Sequence, residues 1–135
     1  MPNRARGTFD VKLAVLQGYD TAPTTLLGRR SIDKQFHGDL AATSIGEMLS
    51  AGTAVKGSAG YVAIELVTGT LAGKAGTFVL QHSGTMNQGR PDLLITVVPD
   101  SGTEALTGLT GKLMIEIKEG KHFYDFEYEL PEAPV

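Results

Sequence analysis

TFDVKLAVL, residues 8–16, sets Phe9, Val11, Leu13 and Val15 on one side and Thr8, Asp10 and Lys12 on the other. Alternation at period two is the mark of a strand with one face in a core and the other in water. Outward from this segment the same texture repeats. Short apolar runs fall at about 28–36, 39–50, 60–71, 76–86, 92–98, 111–118 and 121–130, bounded by turn formers that limit each to strand length. The 17 glycines are spread between the runs and not gathered into one linker, so they read as turns. Only AATSIGEMLSA (41–51) and GTEALTG (102–108) compete as helix. The first lacks a helical apolar stripe, and the second is too short to hold a helix by itself.

Together with 8–16 these runs predict about eight strands and an all-β chain. Strands joined by tight turns must close into a barrel or split into two sheets, because open edges invite further pairing. A closed antiparallel barrel of about eight strands is the preferred architecture, with a sandwich as the alternative. The absence of Cys and Trp removes the spacing expected of an immunoglobulin domain.

A length of 135 residues suits a single domain spanning 1–135, with 1–6 and 131–135 expected as loose ends. The formal charge of −3 offers no basic field, so nucleic acid is not an expected partner. Without cysteine there are no disulfides, thiolate nucleophiles or cysteine-based metal sites. The start, MPNRARGTFD, does not read as a secretory leader, and no apolar run approaches the ~20 residues of a membrane helix. A cytoplasmic protein without membrane contact is the expectation.

Two hairpins fix which side chains face together. A turn at Glu119-Gly120, where glycine supplies positive φ, pairs Ile117 with His122, Ile115 with Tyr124 and Leu113 with Phe126 on an apolar, inward face. Lys112 with Glu127 and Met114 with Asp125 then face water, and Lys118 meets Lys121, a mildly unfavourable pair. His122 lies near a barrel end on the apolar face, where packing or a rim position is the ordinary role and ligand contact the sharper one.

The second hairpin turns within Ala72-Gly73-Lys74. A loop of two or four residues puts Tyr61, Ala63, Glu65 and Val67 on one face with Phe78, Leu80, His82 and Met86, and Val62, Ile64 and Leu66 on the other with Val79, Gln81 and Ser83. Neither face is plainly polar, so its inward side stays open. A turn at Gly73-Lys74 would set Glu65 directly opposite His82, and a three-residue loop would separate them. A Glu, a His and a Tyr on an apolar barrel face could do acid/base work, since desolvation raises a carboxyl pKa and a histidine can hold or relay its proton. The competing interpretation is a cross-strand ion pair with Tyr61 in an interface. Glu65 and His82 are the catalytic candidates; Tyr61, Glu65, His82, His122 and Tyr124 are the ligand-binding ones.

His37, His82 and His122 lie on separate strands or turns, but nothing in their spacing selects a metal. No metal and no cofactor are expected. GTLAGKAG (69–76) opens no helix, GLTGKLMI (108–115) has Leu113 where a phosphate loop needs Ser or Thr, and no GxSxG elbow is present. Nucleotide and serine hydrolysis are therefore disfavoured.

SIDKQFHGDLAATSIGEMLSA (31–51), VKGSAGYVAIE (55–65), FVLQHSGTM (78–86), VVPDSGTEALTGLTGKLMIEI (97–117) and HFYDFEYELP (122–131) together resemble a bacterial family of unknown function. The resemblance covers about Gly7 to Pro131. It implies an antiparallel barrel similar to plant allene oxide cyclases and dirigent proteins, and assembly as dimers or trimers. Within it, Ser101-Gly102-Thr103, Leu106, Gly108 and Gly111 are similar to a loop that plugs a barrel end with Leu106 as anchor. No cyclase catalytic residue aligns onto this chain.

Barrels of about eight strands are just wide enough for one small ligand. A small hydrophobic ligand is therefore the first functional expectation. An isomerase- or cyclase-type enzyme using Glu65 or His82 is the second, and a structural or assembly protein with a filled barrel the third. A homodimer, with a homotrimer as alternative, is expected because both faces of the central hairpin carry bulky apolar residues.

Overall fold

The computed structural model of the protein describes residues 2–17 and 25–131. Eight strands run in chain order: β1 (Asn3–Leu16), β2 (Thr25–Gly38), β3 (Leu40–Thr53), β4 (Ala59–Leu71), β5 (Lys74–Asn87), β6 (Arg90–Val97), β7 (Thr110–Lys118) and β8 (Lys121–Glu129). Each pairs antiparallel with its sequence neighbour, and β1 pairs with β8 to close the barrel. The first half of β1 faces β8 and the second half faces β2, Gly7 being matched to both Tyr124 and Gly38. The thinnest seam is β6–β7, with the single bridge Thr96↔Lys112. AATSIGEMLSA lies wholly in β3, and GTEALTG holds only the 3-10 turn Glu104–Leu106.

Period-two patterning carries through to burial. Phe9 in β1, Ile32 and Phe36 in β2, Leu40 and Ala42 in β3, and Val67 and Leu71 in β4 point inward. The stretch expected as a loose end at 1–6 is strand from Asn3 onward, because Ala5 is packed in the core. At the other end β8 stops at Glu129, and residues 132–135 lie outside the described residues.

The β7–β8 hairpin has the predicted register, Ile117↔His122 through Leu113↔Phe126 with Lys118 beside Lys121. Glu119 and Gly120 both take positive φ, the geometry of a two-residue turn that matches strand twist. The β4–β5 hairpin turns at Ala72-Gly73, with Leu71 paired to Lys74. Glu65 therefore stands opposite Leu80, and His82 opposite Ala63, one step diagonal from the direct pairing that a Gly73-Lys74 turn would have given. Facing is unchanged, because a two-residue slip conserves parity. The Tyr61, Glu65 and His82 face is the inward one; Val62, Ile64 and Leu66 point out and are 52, 50 and 41% exposed.

One end of the barrel is closed. The chain between β6 and β7 folds across it, with Thr103 N–H bonded to Thr77 O and Leu106 and Leu109 driven into a core of Leu40, Leu71, Phe78 and Phe126. Leu106 occupies the anchoring position expected of it. The opposite end is the mouth, where the inward positions Leu13, Val15, Leu93 and Ile117 remain exposed. An interior that is filled at one end and open at the other fixes where a ligand could enter.

Candidate functional site

Between plug and mouth the barrel axis is crossed by a line of buried polar side chains. Glu65 of β4 is 0% exposed, Ser44 of β3 1%, His82 of β5 4% and Lys34 of β2 6%. Each occupies an inward position of its strand, so alternation alone places all four in the core. Burying them without partners would cost several kcal/mol per ion, and the geometry shows how that cost is offset. Glu65 Oε1 accepts from Lys34 Nζ at 2.9 Å and lies 2.6 Å from His82 Nε2, while Oε2 accepts from Ser44 Oγ at 2.6 Å. Lys34 Nζ also lies 5.1 Å from the Phe9 ring centre and 5.8 Å from that of Phe36, where the ring faces attract a cation.

Burial alone would raise the Glu65 pKa. The His82 hydrogen bond, the Lys34 charge and the Ser44 hydroxyl outweigh it and hold the carboxyl at about 2. Glu65 is thus an anion across the physiological range. An ionised carboxylate only accepts hydrogen bonds, so the network assigns a proton to His82 Nε2. On its far side, His82 Nδ1 lies 3.2 Å from the Tyr61 hydroxyl. A ring carrying its one proton on Nε2 would accept from the Tyr61 hydroxyl at Nδ1. The Tyr61 pKa is raised by burial and by the Glu65 charge, which keeps its proton on. The result is an ordered chain, Lys34, Glu65, His82, Tyr61, running from the barrel axis toward the mouth.

Tyr61 is half-buried, and its ring lies where a side chain on β5 would stand. A Cβ placed on Gly84 would come within 2.5 Å of Tyr61 Cε1. Glycine at that position is what lets the phenol lean across the strand. Beyond it opens a cavity of about 430 Å3 lined by Arg30, Ser50, Tyr61, Met86, Pro91 and Leu93 among others. That volume suits a small molecule.

Three of the five residues expected at a ligand site, Tyr61, Glu65 and His82, are brought together. The other two lie elsewhere. Tyr124 is buried, its hydroxyl donating to His37 O at 2.8 Å and accepting from Leu40 N–H at 2.9 Å; it ties β8 to the β2–β3 turn. The His122 ring packs tilted against Phe9, their centres 5.0 Å apart, beside the ring that Lys34 Nζ also faces. His37 lies on the surface with its Nε2 3.0 Å from Asp10. Among the described residues no group of three or more His, Asp or Glu could hold a metal ion, and no helix is long and apolar enough to cross a membrane.

Lys34, Ser44 and Arg30 went unnoticed in the sequence. A signal for Lys34 was present: Ile32, Lys34 and Phe36 alternate inside one predicted strand, and two apolar neighbours at period two place the lysine inward with them. Ser44 sits likewise between Ala42 and Gly46, a run of small residues that leaves room for larger side chains across the barrel.

A closed eight-stranded barrel with a charged hydrogen-bonded chain beneath an apolar mouth defines the class of protein. The chain belongs to a family whose model, described as "Protein of unknown function (DUF3224)", matches residues 5–128. It is similar to a crystal structure from Shewanella oneidensis MR-1, described as a protein with unknown function from the same family. The two share 51% identity with a TM-score of 0.94 over 98% of this chain and 100% of that one. None of the curated proteins matches the chain.

Proposed function

We propose that the barrel binds one small, mostly apolar molecule at its mouth, in the manner of the allene oxide cyclase-like barrels that the sequence resembles. The observation that carries this reading is the 430 Å3 cavity, lined by the apolar Met86, Pro91 and Leu93 together with Tyr61, whose hydroxyl meets His82. Apolar walls with few convergent polar groups are the usual form of a small-molecule site. Titration with 1-naphthalenemethanol, a compact neutral fluorophore, is expected to show saturable binding of one molecule per chain, lost in Ala59→Trp, which fills the mouth. Absence of saturable binding in the wild type would overturn the reading.

An isomerase- or cyclase-type enzyme is the second reading. It is favoured by one arrangement: a carboxylate orienting an imidazole that in turn meets the hydroxyl of Tyr61, a residue that lines the cavity. That is the order of groups used to move protons to and from a bound substrate.

Assembly completes the proposal. Ile45, Leu49, Val62, Ile64 and Leu66 form an exposed apolar patch on the outer face of β3 and β4, the kind of surface that marks an interface. A second copy covering it in a homodimer, with a homotrimer as the alternative, fits a cytoplasmic protein. Light scattering that returned a 14.3 kDa particle at micromolar concentration would reject both.

A further inference from the structure

The turns at the two ends of the barrel carry opposite charge. At the mouth, the described turns 54–58, 88–89 and 119–120 with the residues flanking them hold Lys56, Arg90, Lys118 and Lys121 against Glu119. At the closed end, the turns at 39, 72–73 and 98–109 with their flanking residues hold Asp39, Asp100 and Glu104 against Lys74. The formal charge of −3 conceals this separation, because the ends cancel in the sum. Lys118 reaches Glu116 at 3.4 Å, while Lys56, Arg90 and Lys121 take part in none of the ion pairs seen among the described residues. All three are exposed.

The basic end is also the apolar one. Leu13, Val15, Leu26, Leu93 and Ile117 hold inward positions beyond the packed core, and Val55 lies in the turn between β3 and β4; all six are exposed, Val15 to 79% and Ile117 to 64%. None of the large apolar side chains exposed among the described residues falls in the closed-end turns. A clustered apolar surface of this kind marks a contact site, and its charged surround selects the partner. A second copy set mouth to mouth would place Lys56, Arg90 and Lys121 against their like. A second copy stacked on the closed end would meet acidic residues but no apolar surface, in a head-to-tail contact that builds an open filament. An anionic bilayer supplies both requirements at once, negative headgroups around the ring and acyl chains beneath it.

We propose that the barrel docks mouth-down on anionic lipid bilayers, the ring of Leu13, Val15, Leu26, Val55, Leu93 and Ile117 entering the headgroup layer while Lys56, Arg90 and Lys121 meet the lipid anions. The proposal stands on the surface of the mouth and goes beyond the cavity reading: docked in this way, the cavity opens toward the layer from which an apolar molecule would enter.

The test is flotation with vesicles of phosphatidylcholine alone and with about 30% phosphatidylglycerol added. The protein is expected to float with the anionic vesicles, to stay behind with the neutral ones, and to be released by salt at about 0.5 M, where screening shortens the reach of the surface charge. The triple variant Lys56→Gln/Arg90→Gln/Lys121→Gln should bind about a hundredfold more weakly, each cation near an anionic surface contributing about fivefold. Lys74→Gln, at the closed end, should bind as the wild type does. The chain has no tryptophan, so Ile117→Trp gives a single reporter at the mouth; its emission should shift to the blue on anionic vesicles, while that of Lys74→Trp should not. Failure to float with anionic vesicles, equal binding by the triple variant, or an equal shift in Lys74→Trp would overturn the proposal. So would a wild-type oligomer that light scattering, without vesicles, finds dissolved in the triple variant, since the mouth would then belong to another copy. Saturable 1-naphthalenemethanol binding without flotation would overturn the docking and keep the cavity as a site; flotation without that binding would keep the docking and remove the cavity.

Discussion

The two ends of the barrel interior solve the same packing problem in opposite ways. At the closed end Leu40, Leu71, Phe78, Leu106, Leu109 and Phe126 fill the lumen. In the middle and at the mouth, inward positions of the same strands carry Lys34, Ser44, Glu65, His82 and Tyr61, and the lumen beyond is open. Position along the barrel axis, and not strand identity, separates them: β4 contributes Leu71 and Val67 to the plug end and Glu65 and Tyr61 to the other. Dispersion and area burial stabilise the first region. The second is held by reciprocal charges, which stabilise only while every partner is in place.

That contrast sets the order of expected effects. Lys34→Met should be the most damaging single change, because it leaves Glu65 charged and buried with one cationic partner fewer. A loss of about 3–5 kcal/mol is expected in denaturant unfolding at neutral pH. Joining it to Glu65→Met should recover much of this, since no lone charge then remains. Acid tests the same group in the wild type. The folded-state pKa of Glu65 is depressed from 4.5 to about 2, so its contribution is present in full above about pH 4.5 and is lost as pH falls toward 2. Its size is on the order of 3 kcal/mol. A Glu65→Met/Lys34→Met protein that kept the wild-type acid profile would show that other carboxylates dominate it.

Leu106→Ala comes next. The side chain is 1% exposed in the plug, so truncation loses transfer energy and leaves a cavity. Thermal or denaturant unfolding should show a loss of about 2–4 kcal/mol, with little effect on binding at the other end. A change below about 1 kcal/mol would mean that the loop from β6 to β7 is not the structural lid its burial indicates.

Strand number and which side chains share a face were legible in the sequence because both depend on period two and on turn chemistry, which are local. The Glu119-Gly120 turn gave the β7–β8 register outright, since glycine and its neighbour leave one two-residue turn. At Ala72-Gly73-Lys74 loops of two, three or four residues were open, and the two-residue turn at Ala72-Gly73 keeps Glu65 and His82 on one face without pairing them directly. The inward side of β4–β5 was not legible: Val62, Ile64 and Leu66 are more apolar than Tyr61, Ala63 and Glu65, and hydrophobicity alone ranks the wrong face as core. What reverses that ranking is non-local. Glu65 can be buried only because Lys34 and Ser44 reach it from β2 and β3, a convergence that exists only once the barrel closes.

The smallest expected effect draws the comparison most sharply, because it makes the same chemical change at the other end. Leu93 points inward from β6, as Leu106 does from the plug, yet it is 45% exposed at the mouth. Leu93→Ala removes a side chain that already faces water on one side, so no closed cavity forms and only part of the transfer energy is lost. Unfolding should show less than about 1 kcal/mol, a fraction of the cost at Leu106. Binding should respond in the opposite sense. With a wall of the cavity shortened, 1-naphthalenemethanol should bind about threefold to tenfold more weakly, while Leu106→Ala leaves it unchanged. If Leu93→Ala cost as much stability as Leu106→Ala, the mouth would be packed in solution, and the division of the barrel into a filled end and a receiving end would fail.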